Sequence, residues 1–411
     1  MDTTSSTAAP ITDEWCEHHF DYLHPDLSRE LHTTLARMRA SCPVTFSDQL
    51  GGHWVVTGYE EVLRVAQDWE AFSSQLGVGI PEKGTTPLAI PEHIDPPLHR
   101  DYKRLINAYF TPDVVGRYEG QTRALVTRLI DGFIEGGTCD FMSAFARPLP
   151  GLAFFELVLN APSEEVEQLN EWATGASKPD NPDLKACWAG LTGWIDDFVE
   201  LRRARPRHDD VVDAILHAEI QQRPITSEEI RALVLLLILG GLETTAGALG
   251  QFMIRFCREP GIPALLRDRP DLVFDAVEEL LRLEAPFIFV GRTARHDAEI
   301  AGHTVKQGEK VLISWAAANR DESEFSNPDA FDPHRSKNRH VSFGAGPHRC
   351  AGSNLARMNL RIAVEELVQR LHGMELLTPA RDVPFHSAYN RAPLSLPIRF
   401  APAHRAVPAD G

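Results

Sequence analysis

Apolar residues recur at helical spacing along residues 27–39, 59–68, 98–109, 113–132, 189–203, 209–219, 267–283 and 355–371. Strand-like runs are shorter and fewer, at 54–57, 298–300, 310–314 and 394–400. One further helix is the most sharply defined. Thr226 is a natural N-cap, Glu229 stands at the position that closes a capping box, and Ile225 and Ile230 occupy the staple positions. The pattern runs on until Glu259-Pro260-Gly261 stops it, giving a helix of about 45–50 Å. Residues 233–239 are apolar all round, so this helix is expected in the core. The pattern as a whole predicts a mostly α protein with small β-sheets at its edge.

Length alone, at about 150 residues per domain, would divide the 411 residues into two or three domains. Pro and Gly are spread as punctuation, however, and no linker stands out. The expected organisation is a loose arm over 1–13, one body over 14–401 and a loose tail over 402–411. With 41 Lys+Arg against 58 Asp+Glu, the net charge is −17. That balance argues against nucleic acid and anionic membrane as partners, both of which demand clustered cations. Six cysteines without a CxxC pair exclude a disulfide scaffold and a zinc ribbon. Residues 1–10 lack the basic and apolar regions of a signal peptide. The longest apolar stretch, 232–242, ends at Glu243 and is too short to span a bilayer. A cytoplasmic, monomeric protein is the expectation.

Three segments ask for more than packing. The first, Gly240-Gly241-Leu242-Glu243-Thr244-Thr245, sets two helix-weakening glycines beside a carboxylate and two hydroxyls at the apolar centre of the long helix. Alone, it fits a close packing contact as well as a groove with an acid and an alcohol placed to relay protons. The second is Phe343-Gly344-Ala345-Gly346-Pro347-His348-Arg349-Cys350-Ala351-Gly352. Its glycines deliver Cys350 to the start of a helix, beside His348 and Arg349, where a thiolate ligand is favoured over an inert thiol. The third, Glu279-Leu280-Leu281-Arg282, can pair across one helix face but is common on solvated helices.

In this order and spacing the three segments resemble the cytochrome P450 family, closest to its soluble bacterial, camphor-hydroxylase-like members. Further matches are Ile94-Asp95-Pro96-Pro97-Leu98-His99, Ala318-Asn319-Arg320-Asp321 and Phe331-Asp332-Pro333-His334-Arg335. The resemblance implies a single-domain fold with haem b, Cys350 as the axial thiolate, and Phe343 and Gly344 in the haem loop. It assigns oxygen binding and proton delivery to Glu243 and Thr244, and a structural triad to Glu279, Arg282 and Arg335. It places His99, Lys103, Arg292 and His348 at the haem propionates, with Arg104 as the alternative to Lys103. The distal pocket would draw on Val78, Leu88, Ala89, Leu239, Gly240, Phe287, Ile288, Phe289, Val290 and Ala392, which predicts an apolar substrate of terpenoid or aromatic size.

The implied reaction inserts one atom of O2 into a C–H bond, with two electrons from a ferredoxin and its reductase. No flavin or iron–sulfur segment follows residue 400, so a fused reductase is not expected. The alternatives are a peroxygenase driven by hydrogen peroxide, against which the Glu243-Thr244 pair argues, and a non-enzymatic haem-thiolate sensor or carrier. Charge adds one expectation of its own. No Asp or Glu occurs between Pro333 and Val364, so Arg339, Arg349 and Arg357 are predicted to form a cationic face for an acidic electron donor.

Overall fold

In the computed structural model, residues 10–81, 87–162, 164–176, 181–385 and 389–406 are described. The long helix runs over Ser227–Arg258, about 48 Å. Its capping box is formed: the Glu229 N–H donates to Thr226 Oγ1 at 3.2 Å, and the Thr226 N–H donates to Glu229 Oε2 at 2.8 Å. Around it pack Glu119–Asp131, Val166–Ala176, Leu184–Arg203, Val273–Glu284 and Ser353–Arg370, whose inner faces build the largest apolar cluster. The Ser227–Arg258 helix and the segment Met142–Leu159 are long and apolar enough to cross a membrane, but most of each is covered by the protein itself.

The strands sit at the edge. A five-stranded sheet runs in the order Val44–Ser47, His53–Val56, Lys310–Ser314, Phe289–Ala294, Phe72–Ser73. Only the pairing of Lys310–Ser314 with His53–Val56 is parallel. A second sheet orders His372–Leu376, Pro397–Ala401 and Thr138–Asp140. One layered domain therefore replaces the two or three that length alone suggested.

Local chemistry moves several boundaries. The pattern at 113–132 divides into Pro112–Gly116 and Glu119–Asp131, and Pro270 separates Gly261–Asp268 from Val273–Glu284. Pro148 and Pro150 hide helical structure in the sequence, because a proline removes a helical donor. Here the chain widens instead: the Arg147 N–H reaches Met142 O, five residues back, at 2.9 Å. Both ends are tighter than expected as well. Thr12 caps Asp13–His18, Trp15 and Cys16 are buried, and Asp13 pairs with Arg37. At the other end the Ala403 N–H bonds Ile134 O at 3.2 Å, and Arg405 pairs with Glu135 at 3.1 Å. Residues 1–9 and 407–411, the remainder of the predicted arm and tail, lie outside the described residues.

Candidate active site

The two adjacent glycines of the central helix do different work. A methyl at Gly241 would sit 2.9 Å from the Phe154 ring, so this glycine serves packing. At Gly240 it would meet nothing within 4 Å, and Gly240 is exposed in the middle of a buried helix. Leu239 beside it is only partly buried. The helix therefore opens on one side there. Thr244, one turn on, donates its hydroxyl to Gly240 O at 3.3 Å. Glu243 points elsewhere, since successive helical residues lie about 100° apart. Its Oε2 accepts from Asn390 Nδ2 at 2.9 Å, and it faces a small cleft shared with Met142, Arg147, Asn170 and Ala392. The acid and the alcohol are thus adjacent in sequence but do not share one face.

The cysteine loop is shaped by Gly344 and Gly346, with φ of +71° and +68°. A side chain at Gly346 would also collide with Ala66 O at 2.5 Å. The Cys350 N–H bonds Phe343 O at 2.8 Å, and the helix Ser353–Arg370 follows. Cys350 is exposed, yet protein crowds its thiol. Desolvation by that crowding pushes its pKa up, against the pull of Lys103, the Gly352 N–H, Arg349 and Arg357.

Around this thiol the structure gathers the four predicted anion partners. Lys103 Nζ donates to Arg349 O at 2.5 Å, whereas Arg104 lies in solvent beside Asp101. His99 and His348 meet edge to face with ring centroids 4.5 Å apart. Burial first, then the neighbouring cations, hold His99 at a pKa of about 4 and His348 at about 2, so both are neutral. His348 Nε2 bonds Ser74 Oγ at 3.1 Å, and Ser74 in turn is held by the buried Asp95. Both ring nitrogens of His99 are buried without a partner among the described residues. Arg292 is buried too; it donates to Gly291 O, and among the described residues no carboxylate lies within ion-pair distance. Two orphaned imidazole nitrogens and a buried, uncompensated guanidinium above a cysteine fit an anionic prosthetic group such as haem b with its propionates.

The Glu279, Arg282 and Arg335 triad forms, with Glu279 and Arg282 fully buried and Arg335 at its outer side. Arg282 donates to both Glu279 oxygens at 2.8 and 2.7 Å, and Arg335 Nε reaches them at 3.1 Å. Arg282 also holds Asn319 O, Pro328 O and Ala330 O, which are carbonyls of the segment leading to the cysteine loop. Glu279 further accepts from the Asp332 N–H and from Asn338 Nδ2.

The structure spreads two groups of predicted residues over different surroundings. Val78, Phe287 and Val290 join one apolar cluster, and Arg292 follows Val290 on the same face of its strand. Phe289 turns to the opposite face, fully buried against Phe20 and Tyr22 with centroids 5.8 and 6.0 Å away, and Ile288 packs in that same cluster. Phe289 therefore does not face the side where Arg292 lies. Leu88 is 50% exposed, while Ala89 and Ile90 turn inward. The cationic face is largely neutralised by acids from distant segments. Arg357 pairs with Glu278 at 2.7 and 2.8 Å and stacks 4.3 Å above Phe343, and Arg339 pairs with Glu324. Of the three, only Arg349 has no ion pair among the described residues. Glu278 is a site residue that the sequence did not reveal. Burial would raise its pKa, but His340 and Arg357 outweigh that and hold it at about 2.

Known proteins resemble this chain over most of its length. The cytochrome P450 family profile matches residues 155–273 and 267–376. The linalool 8-monooxygenase of Pseudomonas putida is 30% identical over 384 residues, covering 88% of this chain and 94% of that protein. The steroid C26-monooxygenase of Mycobacterium tuberculosis is 31% identical over 385 residues, covering 92% and 95%. A solved structure of P450BioI with hexadec-9Z-enoic acid-ligated acyl carrier protein superposes with a TM-score of 0.81 at 29% identity, covering 92% of this chain and 99% of that one. The chain belongs to the cytochrome P450 family and is a monooxygenase that binds haem b.

Proposed function

We propose that the protein hydroxylates an apolar small molecule of terpenoid or aromatic size, using O2 and electrons delivered by an acidic ferredoxin-type donor. The opening at Leu239, Gly240 and Thr244 in an otherwise buried helix carries this reading. Cys350 would hold the haem, with His99, His348, Lys103 and Arg292 on its propionates. Haem b ligated by thiolate supplies O2 activation and O–O cleavage.

The protein's own residues do the rest. Thr244 rests its O–H on the Gly240 carbonyl and leaves its oxygen lone pairs available on the open side, so it can accept a hydrogen bond there and pass a proton on. Glu243, the adjacent acid, would bring that proton from solvent. Val78, Phe287 and Val290, with Leu239, would surround the substrate with apolar walls and exclude water. Arg349, beside Lys103 and the outward Arg100 and Arg104 of the Leu98–Asn107 helix, is the cationic patch best placed for the donor.

The test is reconstitution of the holoprotein with a ferredoxin, its reductase and NAD(P)H. Ligands are first screened by the low-to-high-spin shift of the haem Soret band. Hydroxylated product from an apolar ligand is expected. Product with hydrogen peroxide alone, and none with the donor pair, would make the protein a peroxygenase. Absence of a thiolate-type band in the CO-difference spectrum would remove Cys350 as the ligand.

A further inference from the structure

The Glu243 carboxylate is aimed by a residue from the far end of the chain. Asn390 lies 147 positions away and donates Nδ2 to Glu243 Oε2 at 2.9 Å. Its backbone is fixed on both sides. Asn390 bridges to Phe287, the Ile288 N–H bonds Tyr389 O at 2.7 Å, and the Arg391 N–H bonds Pro286 O at 2.7 Å. Gln251, just over two turns along the helix from Glu243, completes the clamp. Its amide donates to Arg391 O at 2.9 Å and to Glu284 O at 2.8 Å, and it accepts from Arg391 Nη1 at 2.6 Å. The amide of Asn390 is therefore registered against the helix that bears Glu243.

Its other atom is informative. Asn390 Oδ1 is buried without a partner among the described residues. A group that carries protons has to be held both as carboxylate and as carboxylic acid. An asparagine amide can do both, because it offers a donor on one side and an acceptor on the other, exchanged by a half turn of χ2. The cleft beside Glu243, with Arg147 and Asn170 on its wall, gives that carboxyl a polar approach separate from the open side at Gly240.

We propose that Asn390 is a positioning residue for proton delivery by Glu243, holding the carboxylate through Nδ2 and the acid through Oδ1. The inference rests on the reading of Glu243 as the proton carrier. In each of the two proton transfers of a turnover, a solvent proton adds to the Glu243 carboxylate and leaves towards Thr244, so the carboxylate is restored and no redox change falls on the protein.

The experiment compares holoprotein variants N390D, N390L and E243Q with wild type, using the ferredoxin system and a ligand found by the spin shift. N390D keeps the shape but has no N–H to donate at neutral pH, and N390L serves where N390D fails to fold. Expected for both are a substrate Kd within about twofold of wild type and a product rate about tenfold lower. Electrons should divert to hydrogen peroxide, and the solvent isotope effect on kcat should rise. In the resting protein, the infrared carboxyl band that E243Q removes should shift in N390L. If E243Q impairs turnover while N390D and N390L keep wild-type coupling and an unmoved band, the inference fails alone. If E243Q leaves product formation intact, the Glu243 reading fails and takes the inference with it.

Discussion

Replacing Glu279 with Ala strikes a buried carboxylate that compensates two guanidinium groups. Arg282 has a side chain 0% exposed and Arg335 one 7% exposed, and both bond Glu279 at 2.7–3.1 Å. Glu279 also accepts the Asp332 N–H at 3.1 Å and Asn338 Nδ2 at 3.2 Å. Removing one partner of a buried pair costs about 3–5 kcal/mol, because the remaining charge stays desolvated. Here two cations are stranded, which places the expected loss at the upper end of that range. Against a typical total stability of about 5–15 kcal/mol, that is a third or more. Arg335→Met, which leaves the inner pair intact, should cost about 1.5–3 kcal/mol. Arg339→Ala is the control: its side chain is 65% exposed, and water screens its pairing with Glu324 so that little stability rests on it. The assay is urea unfolding of the holoprotein, with haem content measured in parallel. The predicted order of loss is E279A, then R335M, then R339A, with haem retention failing in E279A because Arg282 anchors the segment that leads to Cys350. An E279A protein that unfolds within about 1 kcal/mol of wild type and keeps its haem would refute the reasoning.

Three other outcomes are expected. Arg357→Met should weaken haem retention by breaking the Glu278 pair and the stack on Phe343, yet leave the salt dependence of electron transfer intact; Arg349→Ala should do the reverse, and stopped-flow reduction across ionic strengths separates them. Gly240→Ala should raise the unfolding midpoint by a helix-propensity gain of about 0.5–1 kcal/mol while weakening substrate binding, whereas Gly241→Ala should cost about 1–3 kcal/mol through the Phe154 contact; calorimetry and spin-shift titration read both. Glu278 has its folded pKa depressed to about 2 from an ordinary 4.5, so its contribution is present above about pH 5 and is lost as the pH falls towards 2; unfolding measured at pH 6 and pH 3 should show roughly 2 kcal/mol less acid sensitivity in Glu278→Gln than in wild type.

Much of the site could be read from local chemistry. Thr226 and Glu229 lie three residues apart and satisfy each other, so the start of the central helix needs no distant partner. Gly344 and Gly346 hold backbone angles that other residues resist, and this is why the cysteine loop is visible in sequence. The pairing of Glu279 with Arg282 needs only a helix, although its burial does not follow from the spacing.

What the sequence could not give depends on which distant segments meet. The stretch from Pro333 to Val364 contains no acid, yet Glu278, Glu324 and Glu119 arrive from elsewhere and neutralise Arg357, Arg339 and Arg361. Ionic partners are chosen by three-dimensional proximity, and a linear count of charge is blind to it. Phe289 and Val290 are equally apolar neighbours, but only sheet register decides which face each takes. The two glycines look alike until Phe154 arrives against one and open space against the other. Asn390 is an unremarkable loop residue until the clamps at Tyr389 and Arg391 set its amide 2.9 Å from Glu243. The sequence by itself determined the central helix, the thiol loop and the family. Tertiary packing alone decided which charges cancel, which apolar side chains face the cavity and what aims the acid, because each depends on contacts between residues far apart in the chain.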